Sequence, residues 1–382
     1  MEFLGYERPD GRVGIRNHVL VLSSVSCANS VVEAIGRALP DAVPVTHAYG
    51  CGCGPEDTGV SYRVLAGLMD NPNVGAALVV GLGCEVLKSG MLAQSVHGKP
   101  VEELVIQNEG GSAATTEKGV EIGRRLLKAL EPQTRVTAAV SELVVGLECG
   151  GSDSFSGITA NPAVGAAADR FVEAGASVIL AETTEMIGTA HILKRRCATP
   201  ELGEQVERLV HEHEKHVRAA LGDLAGMVIA PGNIDGGISS ITEKSLGCIT
   251  KGGTTPINEV LEYAGRPSKR GLVIMDTPGY DIESMAGLAA AGTQIILFTT
   301  GRGSIAGCPA VPVVKVASNS HTFNNMPGDM DVNAGTILDG KTIGEVGKEI
   351  FDLSIDVANG KQTCAEINRS APFSYLKQGP TF

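Results

Sequence analysis

The chain has 382 residues, 43% hydrophobic and 19% charged, with a net charge of −12; this is globular composition, long enough for two or three domains with apolar cores. The acidic balance, with no Lys/Arg run longer than the three residues Lys194 to Arg196, argues against a duplex-binding surface, and no apolar stretch reaches the roughly 18 residues of a spanning helix. With 49 Gly, 4% aromatic residues and no Trp, the core must be built from Val, Ile, Leu and Ala, as in parallel sheets wrapped by helices.

In chain order, the opening MEFLGYERPDGRVG puts charges where a secretory leader needs an apolar centre, so a cytoplasmic protein is expected. From His18, HVLVLSSVSCANSVVEAIGRAL predicts a strand, a polar turn and a helix with apolar spacing at Val31, Val32, Ile35 and Leu39. The pattern recurs in AVPVTHAYGCGCG, in YRVLAGLMDNP running into AALVVGLGCE, and in ELVIQ followed by the helical TTEKGVEIGRRLLKAL before Pro132. Such alternation predicts an α/β fold of Rossmann-like parallel sheets flanked by helices, in two to three subdomains, with ligands at the strand carboxyl ends. Pro132 to Thr134 is the expected boundary between an N-terminal α/β domain, residues 1–133, and a C-terminal one, 134–382.

The second region opens with ELVVGLECGGSD, a helix near Ala163 to Ala174 and the strand SVILAETTE, then a charged helix from Glu201 to Leu221. A third unit runs GLVIMDTPGYD, SMAGLAAAG, QIILFTTGRGS. AGASVILAETTEMIG and AGTQIILFTTGRGSIAG share a layout of Ala-Gly, strand and Thr-rich loop, which suggests an internal repeat or simply two alike Rossmann units.

Nine cysteines, several in Gly-rich turns, suit metal or redox chemistry better than disulfides. Cys51 and Cys53 in GCGCG, Cys84 in GLGCE, Cys149 in LECGGSD and Cys308 in IAGCP each fall at an expected strand end, where a thiolate faces the ligand crevice. Any one of them also fits as a small core residue. One arrangement gathers Cys51 or Cys53, Cys84 and Cys149 around a four-iron cluster; no zinc-ribbon spacing is present. Arg16 and Asn17, with Arg12, suit a substrate carboxylate, and equally a structural carboxylate. Ser152, Asp153, Ser156, Thr159 and Asn161 exceed what a helix cap needs and suit a polyol.

AETTEMIGTAH offers Glu182, Glu185 and His191 as acid or base groups, MDTPGYD offers Asp276 and Asp281, and TTGRGS offers Arg302 for an anion. HEHEKH, His211 to His216, lacks the i, i+4 spacing of a helical metal pair and reads as a solvated face. An NAD-dependent oxidoreductase is disfavoured, because SSVSCANS rather than G-x-G-x-x-G follows the first long strand. A non-catalytic sugar-acid-binding protein stays open, although it gives no reason for thiols at several strand ends.

The blocks GYERPDGRVGIRNHVLVLSSVSCANSV, GLGCE, CGGSDSFSGITANPAVGAAAD, AETTEMIGTAHIL, GNIDGGISSITEKSLGCITKGG, GLVIMDTPGYD, FTTGRGSIAGCPAVPVVKVASN and MDVNAGTI, in this order, resemble the altronate and galactarate dehydratase family over almost the whole chain. The resemblance implies dehydration of a sugar acid, first an altronate-like hexonate, to a 2-keto-3-deoxy acid, with ferrous iron, an iron-sulfur cluster or another divalent metal such as Mn2+. A branch of the family is instead a sulfolactate sulfo-lyase. The resemblance places Arg16, Asn17, Cys51, Cys84, Glu85, Cys149, Ser152, Asp153, Asn161, Glu182, Glu185 and His191 on family blocks. From these, His191, Glu182 and Glu185 are the expected catalytic residues and Cys51, Cys84 and Cys149 the expected metal ligands. Arg16, Asn17, Ser152, Asp153, Asn161 and Arg302 are the expected substrate-binding residues. Long members carry a small N-terminal SAF-type domain, whereas this chain begins at GYERPDGRVG, so a separate small SAF-type subunit and an oligomer are expected. His47-Ala48-Tyr49 departs from the His-Thr-Asp type of sequence expected before GCG.

Overall fold

In the computed structural model, which describes residues 1–222 and 228–382, the first third of the chain alternates strand and helix. After β1 (Glu2–Glu7) and β2 (Val13–Gly14) come β3 (His18–Ser23), α1 (Asn29–Ala38), β4 (Ala42–Val45), α2 (Pro55–Asp70) and β5 (Val74–Gly81). Then follow α3 (Ser89–Gln94), β6 (Val101–Val105), α4 (Ser112–Leu130) and β7 (Val136–Ala139). Strands β3 to β6 form a parallel sheet in the order β4-β3-β5-β6. Its central strand β5 is buried at every residue, as a strand covered on both faces must be. Helices α1 and α4 cover one face through Val32, Ile35, Ile122 and Leu126, and α2 covers the other through Val64, Leu65 and Leu68. Proline at the first turn of α2 costs no hydrogen bond, and Glu56 and Asp57 there favour the positive helix end. After α4 the chain returns to its start, since β7 pairs with β1 in a small antiparallel sheet, β2-β1-β7.

The rest of the chain builds a larger sheet. Its elements are β8 (Val144–Cys149), α5 (Ala160–Glu173), β9 (Ser177–Leu180), α6 (Ala190–Arg196), α7 (Pro200–Leu221), α8 (Pro231–Asp235) and α9 (Ile241–Cys248). They continue with β10 (Ile257–Leu261), β11 (Gly271–Met275), α10 (Asp281–Ala290), β12 (Ile295–Thr300), β13 (Val313–Ala317), α11 (Ser320–Asn325), β14 (Val332–Asn333), α12 (Ile343–Ala358) and α13 (Cys364–Ile367). Every neighbouring pair in the order β10-β11-β9-β8-β12-β13-β14 is parallel. The α/β architecture of parallel sheets flanked by helices expected from the sequence is therefore the one found.

Helices α5 and α12 pack on one face of this sheet, with the rings of Phe171 and Phe351 4.7 Å apart. Helix α10 covers the other face and is buried from Ser284 to Ala290, as befits a helix apolar all round. It lies between the two parallel sheets, packed on α2, where a Cβ on Gly67 would come within 2.5 Å of the Ala290 carbonyl. From β8 the chain first builds the side that holds β9, β10 and β11 and then returns to the other flank with β12, so connectivity reverses between β8 and β12 and a crevice opens at their carboxyl ends. The two segments alike in sequence are β9 and β12, which flank β8 on opposite sides. Past α13, the last residues cross back to the first sheet. Tyr375 lies 5.2 Å from the rings of both His47 and Tyr49, and the Gln378 and Gly379 amides donate to the Asp57 carboxylate at 2.8 and 3.0 Å.

Candidate active site

At the carboxyl end of β8, strand alternation sends Leu147 and Cys149 toward the α5 face and Glu148 toward α10. The Cys149 thiol is buried 3.7 Å from Cys248 Sγ, at the end of α9, and 3.5 Å from Glu182 Oε1. Glu182 stands two residues past the end of β9, after Ala181, in the left-handed region, φ 68°, a strained setting for a residue with a Cβ. Its surroundings over-determine that conformation. Its amide donates to Thr277 Oγ1 at 2.6 Å, and its Oε2 accepts from the Cys149 amide at 2.9 Å and from Lys251 Nζ at 2.5 Å. Lys251, in the turn after α9, also donates to Cys248 Sγ at 3.0 Å, and neither Lys251 nor Glu182 is exposed at all.

The electrostatics follow from this burial. The neighbouring Cys248 and the lack of solvent push the Cys149 thiol well up. Burial opposes the charge on Lys251, but Cys149, Cys248 and Glu182 around it hold its pKa well above the ordinary lysine value. On the reverse face, Glu148 accepts from Ser284 Oγ at 2.6 Å through Oε2, while its Oε1 has no partner. Burial and then the adjacent Glu182 carboxylate push the Glu148 carboxyl well up. Glu185, in the turn after Glu182, pairs with Lys244 of α9; its Oε2 is buried without a partner, and burial raises its pKa.

A cavity of about 260 Å³ opens beside this cluster between the loop after β8 and α9; Ser152, Ser156, Asn161, Lys244 and Cys248 are among its walls. Asp153 fixes the loop, accepting from the Ser156 amide and hydroxyl, Ser318 Oγ and Asn319 Nδ2 at 2.7 to 2.9 Å. Asn161 Oδ1 accepts from Thr299 Oγ1 at 2.7 Å, which leaves its amide nitrogen to donate into the cavity. The site therefore joins hydroxyl and amide donors and a lysine to buried thiols and carboxylates.

Of the residues expected from the sequence, Ser152, Asp153 and Asn161 are in the cavity wall, Cys149 and Glu182 are in the cluster, and Glu185 adjoins it through Lys244. The others do not line the cavity. His191 is exposed at the start of α6 and has no hydrogen bond among the described residues. Arg302 is exposed in the loop after β12, anchored by its amide on the Gly151 carbonyl at 2.8 Å. Arg16 and Asn17 are held elsewhere: Arg16 grips Glu366, and Asn17 Oδ1 accepts from Arg8 Nη1 at 2.9 Å.

Cys51 and Cys84 are exposed on loops of the four-stranded sheet, joined where the Leu87 amide meets the Gly50 carbonyl at 3.2 Å. Among the described residues, the group able to hold a metal is a different one, Cys149, Glu182 and Cys248, because it forms where the ends of β8 and β9 meet α9. Cys248, Lys244 and Lys251 went unassigned in the sequence although all three stand in GNIDGGISSITEKSLGCITKGG; a Cys followed three residues later by Lys was the available signal. His213 of HEHEKH is not simply solvated, since its Nε2 bonds Thr184 Oγ1 at 2.7 Å, just after Glu182.

Residues 140–381 match the family described as D-galactarate/altronate dehydratase, C-terminal, and residues 5–131 match D-galactarate dehydratase/altronate hydrolase, second domain. The altronate dehydratase of Bacillus subtilis (strain 168) is 34% identical over 99% of this chain and 78% of its own length. The galactarate dehydratase (L-threo-forming) of Escherichia coli (strain K12) is 37% identical over 94% of this chain and 73% of its own. The (2R)-sulfolactate sulfo-lyase subunit beta of Chromohalobacter salexigens is 34% identical over 95% of this chain and 94% of its own. No described helix is long and apolar enough to cross a membrane.

Proposed function

Because the chain belongs to the D-galactarate/altronate dehydratase family, we propose that it is a hydro-lyase converting a sugar acid to a 2-keto-3-deoxy acid in the cavity between the β8 loop and α9. The observation that carries this reading is the polar cavity wall with Lys244 beside a buried carboxylate and thiol cluster, on a chain similar throughout to altronate and galactarate dehydratases.

Lys244 pairs with the substrate carboxylate and stabilises the negative charge that builds there as the α-proton leaves. Its own charge is secure, since Glu185 and the other anions outweigh the effect of burial. Glu185, partnered through one oxygen only, is positioned to take that proton. Asn161 and the serines of the β8 loop orient the polyol hydroxyls, and loss of the β-hydroxyl leaves an enol that becomes the 2-keto product.

The metal expected from the family resemblance fits Cys149, Glu182 and Cys248. Their 3.7 Å Sγ–Sγ and 3.5 Å Sγ–Oε1 separations match the edges of about 3.6 to 3.8 Å of a tetrahedral site with bonds near 2.3 Å to sulfur and 2.1 Å to oxygen. Cys149, Glu182 and Cys248 would hold the ion, and iron there would supply Lewis acidity beside the cavity. The proposal includes a cytoplasmic setting, in which the nine cysteines, all free in the structure, stay reduced. It also includes a small SAF-type partner subunit within an oligomer; the relative named subunit beta supports it, being by that name one chain of an assembly.

The test is a panel of hexonates and hexarates, with and without added ferrous iron, followed by 2-keto acid detection. Formation of a 2-keto-3-deoxy acid from altronate or galactarate is expected; inertness to the whole panel with metal and partner supplied overturns the reading. Similarity to the sulfo-lyase subunit over 94% of its length favours one second reading, elimination of sulfite from sulfolactate, which a thiol-reactive sulfite assay distinguishes.

A further inference from the structure

Lys251 is a fully buried ammonium whose hydrogen bonds both go to groups able to hold a metal, 2.5 Å to Glu182 Oε2 and 3.0 Å to Cys248 Sγ. A lysine pressed against a cation site is costly unless it does something there. Two roles follow from the geometry. By taking Oε2, together with the Cys149 amide, it leaves only Oε1 of Glu182 free, the oxygen that lies 3.5 Å from Cys149 Sγ. It also balances charge, because two thiolates and a carboxylate carry one more negative charge than a divalent ion neutralises, in a place without solvent. Backbone packing holds the lysine in register: a Cβ on Gly165 of α5 would come within 2.1 Å of the Thr250 carbonyl, so α5 touches the turn directly before Lys251. Cys248 lines the cavity, which gives an ion a way in.

We infer that Lys251 is the positioning residue of a two-thiolate, one-carboxylate centre that takes thiophilic divalent ions, ferrous iron, Co2+ or Zn2+, in preference to Mg2+, Mn2+ or Ca2+. The inference deepens the proposed metal-assisted dehydration and rests on it for the identity of the site. Sulfur donors select the first set, whereas the second prefers all-oxygen shells. An orienting residue just outside the ligand set, when removed, typically weakens metal binding 10- to 100-fold.

The test uses the full chain, purified without oxygen and stripped by chelator, then titrated with Co2+ while near-ultraviolet absorption from sulfur-to-cobalt charge transfer is recorded. One equivalent of Co2+ producing that band is expected, displaced by Zn2+ and untouched by millimolar Mg2+. Cys248→Ser should abolish or halve the band, whereas Cys51→Ser and Cys84→Ser should leave it whole. Lys251→Met should weaken Co2+ binding 10- to 100-fold, and Lys251→Arg, which keeps the charge, should recover part of it; circular dichroism confirms that each variant is folded. A wild-type protein without the band, a band that survives the double change Cys149→Ser/Cys248→Ser, or a folded Lys251→Met with wild-type affinity overturns the inference. Turnover of sugar acids is measured separately. Dehydration without the band removes the metal site and leaves the dehydratase reading standing, while a band without turnover does the reverse.

Discussion

Replacing Arg16 by Ala separates a structural arginine from a substrate-binding one. Its guanidinium makes a fork to Glu366, Nε to Oε1 at 2.7 Å and Nη2 to Oε2 at 2.8 Å, and its remaining donors reach the Ile15, Val357 and Lys361 carbonyls at 2.8 to 2.9 Å. Two of those carbonyls belong to the last turn of α12 and the residues just after it, where a cation also meets the negative helix end. Truncation would remove the donors of Glu366 Oε1 and the Lys361 carbonyl, while Glu366 Oε2 keeps the Thr363 amide and the Ile15 and Val357 carbonyls keep Arg135 and the Gly360 amide. Removing one partner of a buried pair costs about 3–5 kcal/mol. Here the side chains are 10% and 19% exposed, which puts the loss near the lower figure, about 3 kcal/mol. That is a large part of the roughly 5–15 kcal/mol that holds a domain folded. Urea unfolding should show a lowered midpoint, with Arg16→Lys between the two because it keeps the charge and loses the fork. Michaelis kinetics on the folded fraction should show an unchanged KM. A tenfold rise in KM with an unchanged unfolding midpoint would mean that Arg16 touches substrate, and the structural assignment would fail.

Other perturbations probe the site and its support. Lys244→Ala should raise KM for the sugar acid tenfold or more, with Lys244→Arg recovering part of it; unchanged kinetics would remove Lys244 from carboxylate binding. Lys315 is buried without a partner over the Phe298 ring, and burial lowers its pKa from 10.5 to about 7. The cost of burying its charge is therefore present in full below pH 7, shrinks as the folded state loses its proton while the unfolded chain keeps one, and is gone above the unfolded value. Lys315→Met should stabilise the protein by up to about 5 kcal/mol at pH 6 and by nothing near pH 11; a pH-independent effect in denaturant melts would contradict this. Gly165→Ala should displace the Thr250 carbonyl and cost about 1–3 kcal/mol, with a matching loss of turnover. Phe171→Ala, in the core under α12, should cost about 3–5 kcal/mol with kcat per folded molecule unchanged.

The strands were readable because parallel sheets covered on both faces leave β-branched runs such as HVLVLS and VILA, and the loops after them were readable as ligand sites for the same topological reason. Cys149 and Glu182 are legible this way, since Cys149 ends β8 and Glu182 lies two residues past the end of β9. Cys248 and Lys251 are not, because they sit on a helix and its following turn, and Cys248 meets Cys149 across 99 positions of chain. Lysine is also the residue least expected to be fully buried, so nothing in its spacing announces an interior role. Arg16 was ambiguous for a different reason: a guanidinium fork fits the carboxylate of Glu366 as well as that of a ligand, and only the tertiary partner decides.

The return of the last residues to the first sheet has a consequence in time. Asp57, almost fully buried, accepts from the Gln378 and Gly379 amides, donors that follow it by 321 and 322 positions. At roughly 5–20 residues per second, a ribosome needs on the order of 20–60 s to deliver them after Asp57 has emerged. For that interval His47, Tyr49 and the Gly-rich turn stand uncovered while the first sheet is otherwise ready to fold. A chaperone or partner that binds this newborn surface would have to leave before Gln378 and Gly379 arrive, so this half of the molecule closes only after the larger sheet has been synthesised.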